Sequence, residues 1–164
     1  MKVPSDDTIT KQKRLYEMSI KNKRAYFNYE ILEKLEAGIV LTGNEVKSIR
    51  SGNATITEAF IMVKAAEVYI NNMIIQPFEN SNTFSDLDIS RKRKLLLHKK
   101  EIKRLIGKVQ EKGLTIVPLS LYFTKNHVKL SIGLGKGKRT VDKRDILKKR
   151  ASEREIARTI KNYS

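Results

Sequence analysis

Leu114-Thr-Ile-Val-Pro-Leu-Ser-Leu-Tyr-Phe-Thr124 and, two residues on, His127-Val-Lys-Leu-Ser-Ile-Gly-Leu-Gly135 are the stretch whose pattern decides the fold. In the second arm Val128, Leu130, Ile132 and Leu134 alternate with Lys129, Ser131, Gly133 and Gly135. A period of two is that of a strand with one buried face. Lys129 must then point away from the core, and the two glycines leave bare backbone on that outer side. Lys125-Asn126 supplies the turn of a hairpin. Upstream, Ala54 to Lys64 and Glu67 to Gln76 read as a second hairpin across Ala65-Ala66, both arms rich in Ile, Val, Tyr and Thr. Pro77 weakens further pairing.

Between the hairpins, a polar loop from Glu79 to Ser90 leads into Arg91-Lys92-Arg93-Lys94 and then Leu95-Leu96-Leu97. Successive cations on a loop are usually solvated. Held against a buried strand, Arg91, Arg93 and Lys94 form a candidate phosphate clamp. Lys99 to Lys112 is the clearest helix, with Ile102, Leu105, Ile106 and Val109 on one buried face and Gly113 at its end. Nearer the N-terminus, Tyr29 to Leu41 form the first strands. Thr42-Gly43-Asn44-Glu45 has capping-box spacing and opens a two-turn helix, with Val46 and Ile49 inward and Gly52 as its left-handed stop. Lys47 and Arg50 project together from another face of that helix, as a candidate nucleic-acid contact or a solvated face. Tyr26, Phe27 and Tyr29 could stack on bases, but three aromatics leading into a strand are more often core anchors. Six or so short strands, two helices and no βαβ rhythm argue for a mainly β, small antiparallel barrel, whose closure removes free edges.

Residues 1–21 read as a flexible leader and 22–135 as the barrel. Residues 136–164 read as a basic tail, disordered when free because it has little to bury, and helical when bound. With 164 residues, one domain is expected. The absence of cysteine excludes disulfides, thiol catalysis and zinc–thiolate sites. No apolar run approaches the ~18 residues of a membrane span. Met1 to Asp7 lacks the apolar centre of a signal peptide, so a cytoplasmic location is expected.

The formal net charge is +16, and its placement matters more than its size. Residues 1–90 hold 11 Lys and Arg against 12 Asp and Glu, whereas residues 91–164 hold 23 against 6. Such segregation builds a positive field over one part of the molecule and favours polyanions. His98 and His127 stand outside any hydrolase or metal signature, and Gly133 to Thr140 lacks the spacing of a nucleotide-binding phosphate loop. No catalytic residue, metal or cofactor is therefore expected. No helix-turn-helix or zinc-finger pattern points to duplex DNA. Folded RNA, recognised by shape and splayed bases, suits a small barrel with a basic flank. The residues by themselves thus point to a non-enzymatic RNA-binding protein, with a structural basic ribosomal protein as the runner-up and an enzyme acting on RNA third.

The order of residues carries more. Glu36-Ala-Gly-Ile-Val-Leu-Thr-Gly-Asn-Glu-Val-Lys-Ser-Ile-Arg-Ser-Gly52 closely resembles the first signature of the small protein B family, the SsrA-binding proteins of bacterial trans-translation. The resemblance continues through Asn22-Lys23-Arg24-Ala25, Arg93-Lys94-Leu95-Leu96-Leu97-His98-Lys99, Val117-Pro118-Leu119, Lys136-Gly137-Lys138 and Asp142-Lys143-Arg144. It implies an OB-like barrel that binds the tRNA-like domain of transfer-messenger RNA and delivers it to stalled ribosomes. It also implies that the tail residues Lys136, Gly137, Lys138, Asp142, Lys143 and Arg144 contact the decoding region of the small subunit. Elongation factor Tu is implied as a partner through the bound RNA. Residues that matter for RNA binding in the family fall on Glu36, Leu96 and Lys129. Glu36 cannot attract phosphate, so its part must be hydrogen bonding to RNA or bracing of nearby cations. The sequence departs from the family at Ile89, where proline is usual, and at Val141, where relatives often carry a stacking residue.

Overall fold

In the computed structural model, which describes residues 19–78, 88–111, 113–124 and 127–162, the two arms that fix the fold are the longest strands together with the one at Tyr29. Chain order gives β1 (Ser19–Lys21), α1 (Lys23–Asn28), β2 (Tyr29–Ile39), α2 (Gly43–Arg50), β3 (Ala54–Thr55), β4 (Phe60–Lys64), β5 (Glu67–Asn71) and β6 (Ile74–Ile75). Then follow β7 (Arg93–Leu96), α3 (Lys99–Val109), β8 (Leu114–Thr124), β9 (His127–Gly137) and α4 (Thr140–Asn162). The expected turn at Lys125-Asn126, the leader up to residue 18, most of the 79–90 loop, Lys112 and Tyr163 lie outside the described residues.

Seven strands form one antiparallel sheet in the order β1-β8-β9-β2-β7-β5-β4, and β3 pairs with β6 in a short separate ladder. The sheet curls until β4 lies alongside β8. Among the described residues no ladder joins those two strands, so the barrel-like shape closes by packing. Its interior holds Ala37, Val68, Ile70, Leu95, Leu121, Leu130, Ile132 and Leu134, each at most 1% exposed. Helix α3 covers one side through Leu105, while Val109 at its end is exposed. The cap of α2 forms as its spacing requires. Glu45 N–H donates to Thr42 Oγ1 at 3.4 Å, Thr42 N–H donates to Glu45 Oε2 at 2.8 Å, and Gly52 takes φ 81°. The upstream hairpin turns on Ala65 and Ala66 as expected, with both in the left-handed region at φ 50° and 59°.

Several expectations are corrected. Ser19–Lys21, placed in the leader, is a strand paired with Ser120–Tyr122 of β8. Asn22 is not merely the first domain residue but a buried cap. Its Oδ1 accepts the Ala25 N–H, while its Nδ2 donates to the carbonyls of Ile56 and Pro118. Tyr26 and Phe27 accordingly sit on a short helix rather than leading straight into a strand. The glycines of β9 do not leave an open outer face. Ala25, Val117 and Leu119, with Tyr29 and Ile31, form a second apolar cluster there. A Cβ on Gly133 would lie 2.9 Å from Leu119 Cδ1, so glycine is needed for close approach rather than exposure. At the other boundary β9 runs to Gly137, and Thr140–Asn162 is helical. Lys138 N–H donates to the Asn28 carbonyl at 2.9 Å, tying the start of the tail to α1.

Candidate nucleic-acid interface

Strand registers build the site. Tyr122 of β8 lies opposite Lys129 of β9, Lys129 opposite Gly38 of β2, and Gly38 opposite Leu96 of β7. Four adjacent strands thus present Tyr122, Lys129, Gly38 and Leu96 in one row. Glu36 is two residues along β2 and so shares the face of Gly38. The bare Gly38 lets Leu96 press in, since a Cβ there would come within 3.1 Å of Leu96 Cβ. Leu96 itself is 53% exposed, an unusual position for a leucine in mid-sheet. A hollow of about 580 Å³ opens here, bordered by Glu36, Gly38, Leu96, His98 and Lys129.

Glu36 is held through both of its oxygens. The Tyr122 O–H donates to its Oε2, and Lys129 Nζ lies 3.2 Å from its Oε1. The Tyr122 hydrogen bond and then Lys129 hold the Glu36 carboxyl below its ordinary value. In return, burial and the bond to Glu36 push the Tyr122 phenol up to about 12. Of the two roles open to Glu36, the bracing of a neighbouring cation is therefore present in the free protein. Tyr122 was not singled out from the sequence, although its alternation with the buried Leu121 and Phe123 placed it on the outer face.

The row continues beyond Leu96. Lys94 lies opposite Tyr69, and Tyr69 opposite the exposed Met62. Lys94 pairs with Glu67, which holds the ammonium charged and shifts its titration upward. Lys92 stands over the Tyr69 ring at 5.4 Å.

The basic run does not form one clamp. Arg93 is 1% exposed and enclosed. It donates to the carbonyls of Met73, Arg91 and Ile89 and, through Nε at 2.9 Å, to Glu45 Oε1. Burial pulls its titration down, and Glu45 partly offsets this. Arg93 is thus a structural cation, because a strand that alternates faces must turn one residue of the run inward. Arg91, half-buried, shares the same carboxylate, with Nε 2.8 Å from Glu45 Oε1. Burial pushes Glu45 up, but Arg91, the Thr42 N–H and Arg93 outweigh it and leave the carboxyl below its ordinary value.

Lys47 and Arg50 are exposed on α2. Arg50 lies over the Phe123 ring at 5.6 Å, which brings α2 beside the β8–β9 hairpin. Of the aromatic candidates, Tyr26 is exposed under Lys34, whereas Phe27 and Tyr29 are half-buried, with Arg150 over Phe27 at 5.7 Å. In the tail, Lys136 and Gly137 extend β9, and Lys138 Nζ donates to the Tyr26 carbonyl. Asp142 accepts the Arg139 N–H at 3.2 Å and so starts α4. Lys143 is half-buried and Arg144 exposed. His98 and His127 are exposed, and no metal-holding group of side chains occurs among the described residues.

The family model for SmpB protein matches residues 19–162. The chain belongs to the SmpB family. Among its relatives, the SsrA-binding protein of Mycoplasma mycoides subsp. mycoides is 49% identical over 144 residues, which is 88% of this chain and 95% of the relative. That of a Synechocystis strain is 46% identical over 153 residues, 93% and 99% of the two chains. A chain from a solved structure described as "tmRNA-SmpB: a journey to the center of the bacterial ribosome" superposes with a TM-score of 0.62 at 47% identity, covering 74% of this chain and 85% of that one. Within this SmpB-family chain, Glu36, Leu96 and Lys129 meet around Gly38, although they are up to 93 residues apart in sequence. The tail positions lie apart from them, beyond the β9 end next to α1.

Proposed function

We propose that this protein is a non-enzymatic RNA-binding translation factor of the cytoplasm. It binds the tRNA-like domain of transfer-messenger RNA and carries it to stalled ribosomes for trans-translation. The family match across residues 19–162, with relatives matched over nearly their whole length, carries this reading. The exposed row of Tyr122, Lys129, Glu36 and Leu96 supports it, since it offers acceptors, a cation and an apolar platform at fixed spacing. Folded RNA with unstacked bases is recognised by such mixed surfaces. Lys47, Arg50, Arg91 and Lys94 supply phosphate contacts. The tail probes the decoding region, and elongation factor Tu is met through the bound RNA.

Binding of a tRNA-like transcript should weaken steeply with salt. With about four to six phosphates engaged, log K falls against log salt with a slope of roughly −3 to −5. Truncation after Arg139 keeps β9 whole, and should leave this affinity within about tenfold while abolishing rescue of stalled ribosomes. A flat salt response, or full rescue by the truncated protein, would overturn the corresponding half of the proposal. Cosedimentation with ribosomal particles through high salt would mark a permanent ribosomal component instead.

A further inference from the structure

An acidic side chain at the centre of a nucleic-acid surface needs a chemical reason, because it repels every phosphate around it. Glu36 is half-exposed, at 50% of its side chain, so it is not there to be buried. Its two oxygens each use one acceptor position internally, one for the Tyr122 hydroxyl and one for the Lys129 ammonium. A carboxylate has about four such positions, so one remains on each oxygen. The braces come from the two neighbouring strands on the β9 side, β8 and β9. Leu96 lies on the opposite side and leans over Gly38, so its exposed side chain forms the floor beside Glu36.

We propose that the braced carboxylate of Glu36 reads the Watson–Crick edge of an unpaired guanine whose ring rests on Leu96 where that side chain leans over Gly38. The inference rests on the RNA-binding reading above and names what that site selects. Guanine is the only standard base with two adjacent donors, N1–H and the N2 amino group, and these match the two free acceptor positions. Adenine and cytosine set an acceptor nitrogen beside their amino group, and uracil flanks its single N–H with two carbonyls. Each would bring a lone pair against the carboxylate. The Tyr122 and Lys129 contacts keep Glu36 ionised across the neutral range, as this role requires. Tyr122 acts here as a positioning residue, setting the direction in which the free acceptors point.

The test uses the full-length protein and a transcript of the tRNA-like domain in which each unpaired guanosine is replaced in turn by inosine. Inosine lacks only the N2 amino group. A hydrogen bond to a charged group typically contributes enough for about a tenfold effect or more. At one position, inosine should therefore weaken wild-type binding about tenfold. Glu36→Gln should bind the guanosine and inosine forms within twofold of each other. Tyr122→Phe, with the ring kept, should show a guanosine preference between these two. No inosine effect above twofold at any position, or an equal effect in Glu36→Gln, would overturn the inference. So would a Glu36-dependent loss on 2′-deoxy substitution that inosine does not reproduce, which would make a sugar hydroxyl the ligand. If the unmodified transcript binds no better than an unrelated hairpin, the functional reading fails and takes this inference with it. Tight binding with no Glu36-dependent base effect removes the inference alone.

Discussion

Glu45→Gln should be among the most damaging single changes on the polar side of this barrel. The carboxylate accepts from Arg91 Nε at 2.8 Å, Arg93 Nε at 2.9 Å and the Thr42 N–H at 2.8 Å. A glutamine keeps one acceptor oxygen and turns an amide donor toward groups that are themselves donors. It also removes the negative charge facing Arg93, which is 1% exposed and cannot escape to water. Breaking a buried ion pair by removing one partner costs about 3–5 kcal/mol. Arg93 retains three carbonyl acceptors, which puts the loss near the lower end of that range. Glutamine can also serve as the third helical residue of a capping box, so the cap adds little to this loss. The total, about 3 kcal/mol, corresponds to a fall in Tm of roughly 6–12 °C for a chain of this size. The pH dependence carries the same signature. Glu45 titrates lower in the folded protein than unfolded, so its contribution is fully present above the ordinary carboxylate value of 4.5 and is lost as pH falls through the folded value. Thermal melts of both proteins between pH 7 and pH 3 would measure it. The gap between them should narrow on acidification. A variant melting within about 2 °C of wild type at pH 7, or a gap that does not change with pH, would refute the structural role given to the Glu45–Arg93 pair.

Gly133→Ala should cost about 1–3 kcal/mol by overpacking against Leu119 and Ile31, read as a lower denaturant midpoint at unchanged slope. Ala66→Gly should raise stability by about 0.5–1 kcal/mol. Left-handed backbone costs an L-residue about 1–2 kcal/mol, and glycine gives back part of that relief in unfolded-state entropy. Ultraviolet titration should find tyrosine still protonated at pH 11, and Tyr122→Phe should lower it by one residue, leaving any share from Tyr69, whose phenol the bond to Glu67 also raises. Because the folded value of Tyr122 is raised to about 12, the stability it contributes is present below pH 10 and is lost as pH rises through 12.

What the sequence made legible was mostly local. The β9 alternation, the α2 capping box and the glycine stop at 52 depend on neighbours a few residues away, and each formed as its spacing required, whereas α3 ends at Val109, short of the stop expected at Gly113. The corrections all depend on distant partners. Arg93 is buried because Glu45 reaches it from 48 residues upstream, and no periodicity in Arg91-Lys92-Arg93-Lys94 distinguishes an inward arginine from an outward one. Helix α1 is anchored because Asn22 finds carbonyls 34 and 96 residues away. The covering of Gly133 and Gly135 did leave a trace. Ile116-Val117-Pro118-Leu119 is apolar without alternation, as a strand buried on both faces must be, and a register shift between Pro118 and Ser120 moves the outer cluster into place. Of the site, Glu36, Leu96 and Lys129 came from resemblance and their meeting point from register. Tyr122 became visible only when β8 was laid beside β9.

The distribution of acids changes the meaning of the +16 charge. Glu33 holds Arg104 and Lys108, Glu36 holds Lys129, Glu45 holds Arg91 and Arg93, and Glu67 holds Lys94. Glu33, Glu36 and Glu67 lie on barrel strands and Glu45 at the start of α2, and together they tie six cations to fixed positions. The cations that find no carboxylate among the described residues include Lys47 and Arg50 on α2 and Lys99, Lys100 and Lys103 on α3. Long-range attraction falls off with the Debye length and depends on net charge, not on braced pairs. It therefore comes chiefly from those helices and from the tail, where residues 136–164 carry 11 Lys and Arg against 4 Asp and Glu. The barrel face, nearly balanced in charge, adds little to that pull. Its cations and acids are instead held at set distances, which is what discrimination between one RNA shape and another requires.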